Sequence, residues 1–460
     1  MNVTVFERSI LIARPAGEAY AWHMRPGAFA RLQPPWERVE LLGVHPGVRD
    51  GTRVRVRSRV GPLHFNWEVE HRDCEEGRGF CDMMRSGPFA HWEHRHIFTP
   101  IQSGRCRLTD RITYRLPGGA AGRIFAGRFV YAKLDRIFAY RQAVTKADLE
   151  MAQADTRPLT VLITGASGLM GRALTPFLET QGHRVLQLVR RPPATATEIF
   201  WDPGKGKLDA RQLEGIDAVV HLAGENIAEG RWTTARRAAL RESRLAGTRT
   251  LVAALGQMHR RPGVLLSASA LGIYGDSGQE IMTEESRSGE GFLAALCRDW
   301  EAELSPARMA GMRSVALRMG LVLTPAGGAL AKMLPAFRAG VGGRLGSGCQ
   351  WLGWIAMDDL LGAVHHVLHN PECDGPVNVV APGAVTNADF TTTLGRVLRR
   401  PVMLPVPALA LRALFGDMAD EALLASTRAV PAQLQRSGYA FRFPELEPAL
   451  RHVLGKAGPA

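Results

Sequence analysis

Gly165, Gly168 and Gly171 recur every third residue in "TVLITGASGLMGRAL", directly after an apolar run and directly before a helical one. Glycine lets a chain turn tightly and brings backbone N–H groups against a diphosphate, whose charge the N-terminus of the following helix stabilises. The spacing in that context predicts a dinucleotide cofactor. The next apolar run, "HRVLQLVRRPP", ends in Arg190 and Arg191, where an NAD site carries a carboxylate for the ribose hydroxyls. Two guanidinium groups in a stretch without an acidic residue favour a 2′-phosphate, and therefore NADP(H) over NAD. The alternative is a pair of arginines on a solvated loop.

Other chemistry-bearing residues are expected to be structural. In "AHWEHRH" the alternation of a strand puts His94 and His96 on one face and His91 on the other. No metal is expected there, and the three are read as lining or flanking a pocket. His221, inside "VVHLAG", reads as a satisfied core histidine, and Asp358 and Asp359 as opening a helix, where negative charge is favourable. Arg53, Arg55, Arg57 and Arg59 form a solvated outer strand face. The six cysteines contain no CxxC pair, which argues against a zinc ribbon or a disulfide framework.

The elements that must hold these groups fall into two patterns. Before residue 150 the apolar period is mostly two: "VTVFERSILIA", "GTRVRVRSRVG", "PLHFNWEVEHRD", "GFCDMMRSG", "AHWEHRHIFTP" and "CRLTDRITYRL" read as antiparallel strands. "PAGEAYAWHMRPGAFARL" and the long "RIFAGRFVYAKLDRIFAYRQAVTKADLEM" read as helices. From Thr160 short apolar runs alternate with helices, as a doubly wound parallel sheet requires: "TVLIT", "RVLQLV", "AVVHLAG", "GVLLSASA" and "RSVALRMGLVL". The polar "KADLEMAQADTRP" is the expected linker.

A chain of 460 residues with 46% hydrophobic and 22% charged residues has room for two or three cores. The net charge of +13 is spread along the chain, which argues against nucleic-acid binding. With no secretory pattern in "MNVTVFERS" and no long apolar run, the chain is expected to be cytoplasmic and without a membrane partner.

The motifs "ITGASGLMG", "VVHLAGENI", "SASALGIYGD", "LCRDWEAE", "GGRLGSGCQW" and "WIAMDD" run in the order seen in atypical extended short-chain dehydrogenase/reductases of the epimerase family, often called sugar-nucleotide-epimerase-like, and the resemblance covers residues 159–450. "LQPPWE", "GPFAHWEHRHIF" and "DRITYRLPGG" resemble the START/polyketide-cyclase type of helix-grip domain. The resemblance implies an α+β helix-grip ligand-binding domain over residues 1–152, a Rossmann-type NADP(H)-binding domain over 159–395 and a small helical extension over 396–460. It assigns cofactor contacts to Gly165, Ala166, Ser167, Gly168, Leu169 and Met170, to Arg190 and Arg191, to Leu222, Ala223, Gly224 and Arg244, to Ser267, Ala268 and Ser269, and to Arg318, Met319 and Gly320.

The catalytic positions depart from the pattern. Where extended members carry Ser, Tyr and Lys, alignment of the motifs places Ala270, Leu293 and Cys297. Without the hydroxyl and the lysine that lowers its pKa, the usual proton transfer has no carrier. The remaining candidates are Tyr274, Ser269 and Glu225, with Tyr274 either a proton donor or a tyrosine packed in the crevice wall. Arg231, Trp232, Gln350 and Trp354 are expected on the substrate side, with Trp351 beside Trp354, and core packing is the open alternative for Trp351 and Trp354. Two readings follow: an oxidoreductase or epimerase acting on a small molecule and fused to an apolar-ligand-binding domain, or a non-catalytic NADP(H) sensor or interaction module.

Overall fold

The computed structural model describes residues 3–43, 47–102, 104–151 and 157–456. It separates into two compact units, residues 1–157 with 176–182 and 454–460, and residues 158–175 with 183–453. The middle of the expected linker, residues 152–156, lies outside the described residues, and its first part, up to Met151, is helical instead.

The first unit is a seven-stranded antiparallel sheet with a long helix. Its strands are β1 (Thr4–Ile12), β2 (Val39–Leu41), β3 (Arg53–Val60), β4 (Leu63–Glu75), β5 (Gly79–Ser86), β6 (His91–Ile101) and β7 (Arg105–Arg115), in the order β1-β7-β6-β5-β4-β3-β2. Alternation decides which side chains face in: β7 buries Cys106, Leu108, Asp110, Ile112 and Tyr114 and turns the residues between them outward. Helices α1 (Ala16–Met24) and α2 (Ala28–Arg31) follow β1, and α3 (Gly119–Met151) closes the unit. Phe6, Ile112 and Tyr114 of the sheet pack with Leu134 and Phe138 of α3, while Trp22 of α1 joins Ile12, Phe80, Phe98 and Leu108. The arginines of β3 are exposed, as their alternation requires, and Arg53 pairs with Glu68 and Glu70.

The second unit is a parallel sheet of β8 (Thr160–Thr164), β9 (Arg184–Val189), β10 (Glu198–Phe200), β11 (Ala218–His221), β12 (Val264–Ala270), β13 (Arg313–Met319) and β14 (Gly375–Val379). Their order is β10-β9-β8-β11-β12-β13-β14. The order reverses direction between β8 and β11, and the crevice outside the carboxyl ends of the strands at such a point is where open α/β sheets take ligands. Helices α4 (Leu169–Thr180), α5 (Thr234–Gly256) and α6 (Phe292–Ala302) cross between strands. Residues 421–443 are bonded into this frame. Glu421 accepts the N–H of Leu293 at the start of α6 (2.8 Å), Arg428–Ala429 pairs in parallel with Ile281–Met282, and Asp359 accepts the N–H groups of Arg442 and Phe443 at 2.7 and 2.9 Å. Among the described residues no helix is long and apolar enough to cross a membrane.

Candidate cofactor and active site

The turn after β8 requires its glycines. Gly165 has φ +68°, and a Cβ there would stand 2.8 Å from the Leu222 carbonyl. A Cβ on Gly171 would stand 2.4 Å from the Gly165 oxygen, so α4 could not start against the turn. Ser167 and Gly168 are exposed at the N-terminus of α4, the end of a helix that favours a diphosphate, and the Gly168 N–H closes the turn on the Gly165 carbonyl at 2.9 Å. The turn is braced from below: Thr164 Oγ1 accepts the N–H groups of Leu222 and Ala223, both at 3.1 Å, and stands 2.7 Å from His221 Nδ1. With both lone pairs so used, Thr164 donates its proton to Nδ1. His221 Nε2–H is then left to donate to Thr248 Oγ1 at 3.1 Å, which also accepts from Trp300 Nε1 and donates to the Arg244 carbonyl. Burial lowers the His221 pKa to about 4, so it remains the neutral core histidine its position in the strand implied.

At the end of β9 the geometry amends the sequence reading. Arg190 is exposed and has no partner among the described residues. Arg191 is held by Glu198 of the neighbouring β10, with Nη2 to Oε1 at 2.5 Å and Nη1 to Oε2 at 2.8 Å, and Glu198 also accepts the Ala194 N–H at 2.7 Å. A carboxylate is therefore present after all. It lies seven residues beyond the arginines and reaches them only because β10 adds to the sheet edge.

The three residues aligned with the usual relay lie on two elements of this unit. Ala270 ends β12, and Leu293 and Cys297 are buried on α6, with Leu293 packed among Trp232, Leu296 and Trp300. Burial pushes the Cys297 thiol up to about 11, so it stays protonated at neutral pH. Ser269 donates to Glu301 Oε1 at 2.6 Å, and Arg318 clamps the same carboxylate with Nε and Nη2 at 2.9 and 2.8 Å. Arg318 Nη1 in turn donates to the Tyr274 hydroxyl at 3.0 Å.

Tyr274 does not reach the crevice. It is 2% exposed, its single hydroxyl proton faces Asn378 Oδ1 at 2.7 Å and the Thr283 carbonyl at 2.9 Å, and burial raises its pKa. These contacts fit the tyrosine of a packed wall and leave no proton for a substrate. The expected substrate side is corrected in the same way. Trp354 is fully buried with Nε1 donating to the Gly383 carbonyl, Gln350 is buried with Nε2 donating to the Leu345 and Leu423 carbonyls, and Trp232 is buried with Nε1 donating to the Ile227 carbonyl. Arg231 is exposed. Glu225 is exposed and paired with Arg236, and its carbonyl accepts from Arg244 Nη2 at 3.0 Å. Arg244 also lies over the Trp300 ring at 5.1 Å and against Gly224, so a guanidinium borders the turn that follows β11.

Residues 161–381 match the NAD dependent epimerase/dehydratase family, residues 3–145 the polyketide cyclase/dehydrase and lipid transport family, and residues 406–453 a domain of unknown function. An epimerase family protein of Mycobacterium bovis is 44% identical over 298 residues, 65% of this chain and 98% of the relative. The chain belongs to the epimerase family. Over its whole length it is similar to the crystal structure of a nucleoside-diphosphate sugar epimerase from Corynebacterium glutamicum, with 34% identity, a TM-score of 0.80, and 99% of this chain and 91% of that one covered. The crystal structure of human epimerase family protein SDR39U1 with NADPH is 34% identical, with a TM-score of 0.59, over 64% of this chain and 99% of that one. This member of the epimerase family is thus an NAD(P)-binding, epimerase-like protein with a polyketide-cyclase-like N-terminal unit.

That N-terminal unit buries charge where its relationship implies an apolar ligand. Cross-strand register sets His71 of β4 opposite Asp82 of β5, Asp82 opposite His94 of β6, and His96 opposite Asp110 of β7. His91 lies apart, opposite Arg115. Burial alone would lower His96, but Asp110 and Asp82 outweigh it and raise its pKa to about 9, whereas burial and the charge of His96 lower His94. A separate cavity of about 470 Å³ is lined by Trp36, Glu37, Arg59, Phe129, Lys133 and Arg136. Glu37 pairs there with Lys133 at 2.8 Å and Arg136 at 3.3 Å.

Proposed function

We propose that the second unit binds NADP(H) in preference to NAD(H) and acts on a small molecule as an oxidoreductase or epimerase without a Tyr–Lys proton relay. The observation that carries the cofactor choice is the pair after β9: Arg190 is unpartnered, and Arg191 is braced by a carboxylate whose oxygens are already occupied. The glycine turn fits the group, because a Cβ at Gly165 would collide with the Leu222 backbone and one at Gly171 with the Gly165 oxygen, so only glycines let the turn close at the start of α4. Bound NADPH supplies hydride. The chain's own residues bind and orient: the turn and α4 would take the diphosphate, Arg190 and Arg191 the 2′-phosphate, and Leu222, Ala223 and Gly224 the adenosine side. Ser269 is held by Glu301, and Cys297 stays a thiol. A proton for a reduced substrate therefore comes from water or from the substrate itself.

The apolar pair Leu293 and Cys297 favours a second reading, an NADP(H)-holding sensor that does not turn over. One experiment separates them. The purified full chain, charged with NADPH, is offered a panel of carbonyl and enone substrates while absorbance is followed. Oxidation supports the enzyme, whereas retained but unoxidised NADPH supports the sensor. For the N-terminal unit, the cavity lined by Trp36, Phe129 and Arg59, with Lys133 and Arg136 already paired with Glu37, suits an apolar molecule with an acidic end for Arg59. Mass spectrometry of molecules that copurify with the chain tests this, and a neutral or basic ligand there would overturn it.

A further inference from the structure

The interior of the first unit contains contacts that hydrogen bonding does not account for. His94 Nε2 donates to Asp110 Oδ1 at 3.1 Å, which leaves the Nδ1 lone pair turned towards Asp82 Oδ2 at 3.8 Å. His96 repeats the arrangement with its atoms exchanged, Nδ1 standing 3.1 Å from Asp110 Oδ1 and Nε2 3.5 Å from Asp82 Oδ2. Both rings thus span the same two carboxylates. They lie with centroids 3.9 Å apart, so they cannot both be cations at reasonable cost. The two contacts to Asp82 Oδ2 are too long for good hydrogen bonds. They approach the edge of a tetrahedron around an ion whose nitrogen and oxygen ligands are each about 2.0–2.2 Å away, which is about 3.4 Å.

We propose that Asp82, His94 and His96 bind one first-row divalent transition-metal ion inside the N-terminal unit. One ligand atom from each lies within 4.8 Å of the others. Two imidazoles and a carboxylate are a donor set for zinc or iron(II), with positions left for water or a ligand. The outer partners are those a metal site needs. Asp110 Oδ1 accepts from His94 Nε2 and stands 3.1 Å from His96 Nδ1, which has no hydrogen-bond partner among the described residues; Gln142 donates to the other Asp110 oxygen at 2.8 Å, and His71 Nδ1 holds Asp82 Oδ1 at 2.7 Å. Phe80 stacks on His96 at 4.2 Å and Phe138 meets His94 edge-on at 5.1 Å, which fixes both rings. Asp82 keeps 22% side-chain exposure, whereas His94 and His96 are buried.

A second cluster, His183, His365 and His369, is the control. Its Nε2 atoms approach at 3.1 and 3.4 Å, but Leu159 N–H donates to His183 Nδ1, which puts the ring proton on Nε2 and makes the contact to His365 a hydrogen bond. Among the described residues no carboxylate joins this cluster, and Arg313 bears on His369.

The test uses the full chain, stripped with chelator and titrated with Co²⁺ and then Zn²⁺. One Co²⁺ per chain with visible ligand-field bands, displaced by Zn²⁺, is expected. Asp82→Asn should abolish the bands, Asp110→Asn and Gln142→Ala should weaken binding roughly 10- to 100-fold, and His369→Ala should change nothing. Bands that survive Asp82→Asn and vanish in His369→Ala would overturn the proposal. If the Asp82 variant fails to fold by circular dichroism, the parent still decides: neither bands with Co²⁺ nor a rise in melting temperature with Zn²⁺ leaves a proton-bridged cluster and no metal site.

Discussion

Replacing Tyr274 by phenylalanine distinguishes a wall tyrosine from a proton donor. The ring would keep its place under the Arg318 guanidinium, 5.3 Å from the centroid, and only the hydroxyl would go. Its loss removes one bond from a charged donor and leaves one acceptor, Asn378 Oδ1 or the Thr283 carbonyl, short of a partner. A hydrogen bond to a charged group contributes about 1.5–3 kcal/mol, and a buried acceptor left unsatisfied costs about 1–3 kcal/mol. Arg318 keeps both bonds to Glu301 and a contact with the Glu284 carbonyl, so its charge stays paired and the lower end applies. The expected destabilisation is about 2 kcal/mol, or roughly 3–6 °C in melting temperature for a unit of this size. Thermal melting of parent and variant by circular dichroism, with NADPH affinity by fluorescence titration, reads both quantities. An unchanged melt with NADPH affinity lowered tenfold would place the hydroxyl in the crevice and refute the reasoning.

Three further outcomes follow from the same geometry. Arg190→Ala should weaken NADPH and leave NADH unchanged; Arg191→Ala should do so more strongly, because it leaves Glu198 unpaired beside the phosphate, and Glu198→Gln in that background should recover part of the loss. Equal effects on both cofactors in calorimetric titrations would remove the NADP(H) assignment. The His221 pKa is depressed to about 4, so between pH 6.5 and 4 the unfolded chain binds a proton that the folded chain does not, and stability falls as pH falls. Urea melts should show about 2 kcal/mol lost from this group between pH 7 and pH 5, with a shallower slope in His221→Asn. In native-state labelling with a thiol reagent, exposed Cys349 should react at once and Cys297 only after unfolding, since burial keeps it a thiol; rapid Cys297 modification would show an open crevice floor.

The frame of both units was legible because it rests on short-range pattern. Period-two runs became β1 and β3–β7, and the apolar runs after Thr160 became five of the seven parallel strands. The strands not anticipated, Val39–Leu41, Glu198–Phe200 and Gly375–Val379, are too short or, with Pro376, too interrupted to show a period. One omission mattered chemically, since β10 carries Glu198 to Arg191. Gln350 and Trp354 looked like ligand-facing groups because their loop is glycine-rich, but the carbonyls that satisfy them come from Leu423 and Gly383. The pairing of Asp82 with His94 was equally hidden. Alternation tells which face a histidine takes, and only the register between β5 and β6 tells which carboxylate meets it.

The bond from Glu421 to the first N–H of α6 has a consequence for synthesis of the chain. The helix that carries Leu293 and Cys297 is closed at its start by a residue made 128 positions later, and Asp359 waits 83 positions for Arg442 and 84 for Phe443. While the ribosome holds the C-terminal segment in its exit tunnel, these caps do not exist. The glycine turn can form early from local sequence, but the start of α6 is capped only once Glu421 has emerged, and a chain ending before residue 406 should expose the start of α6 to proteases.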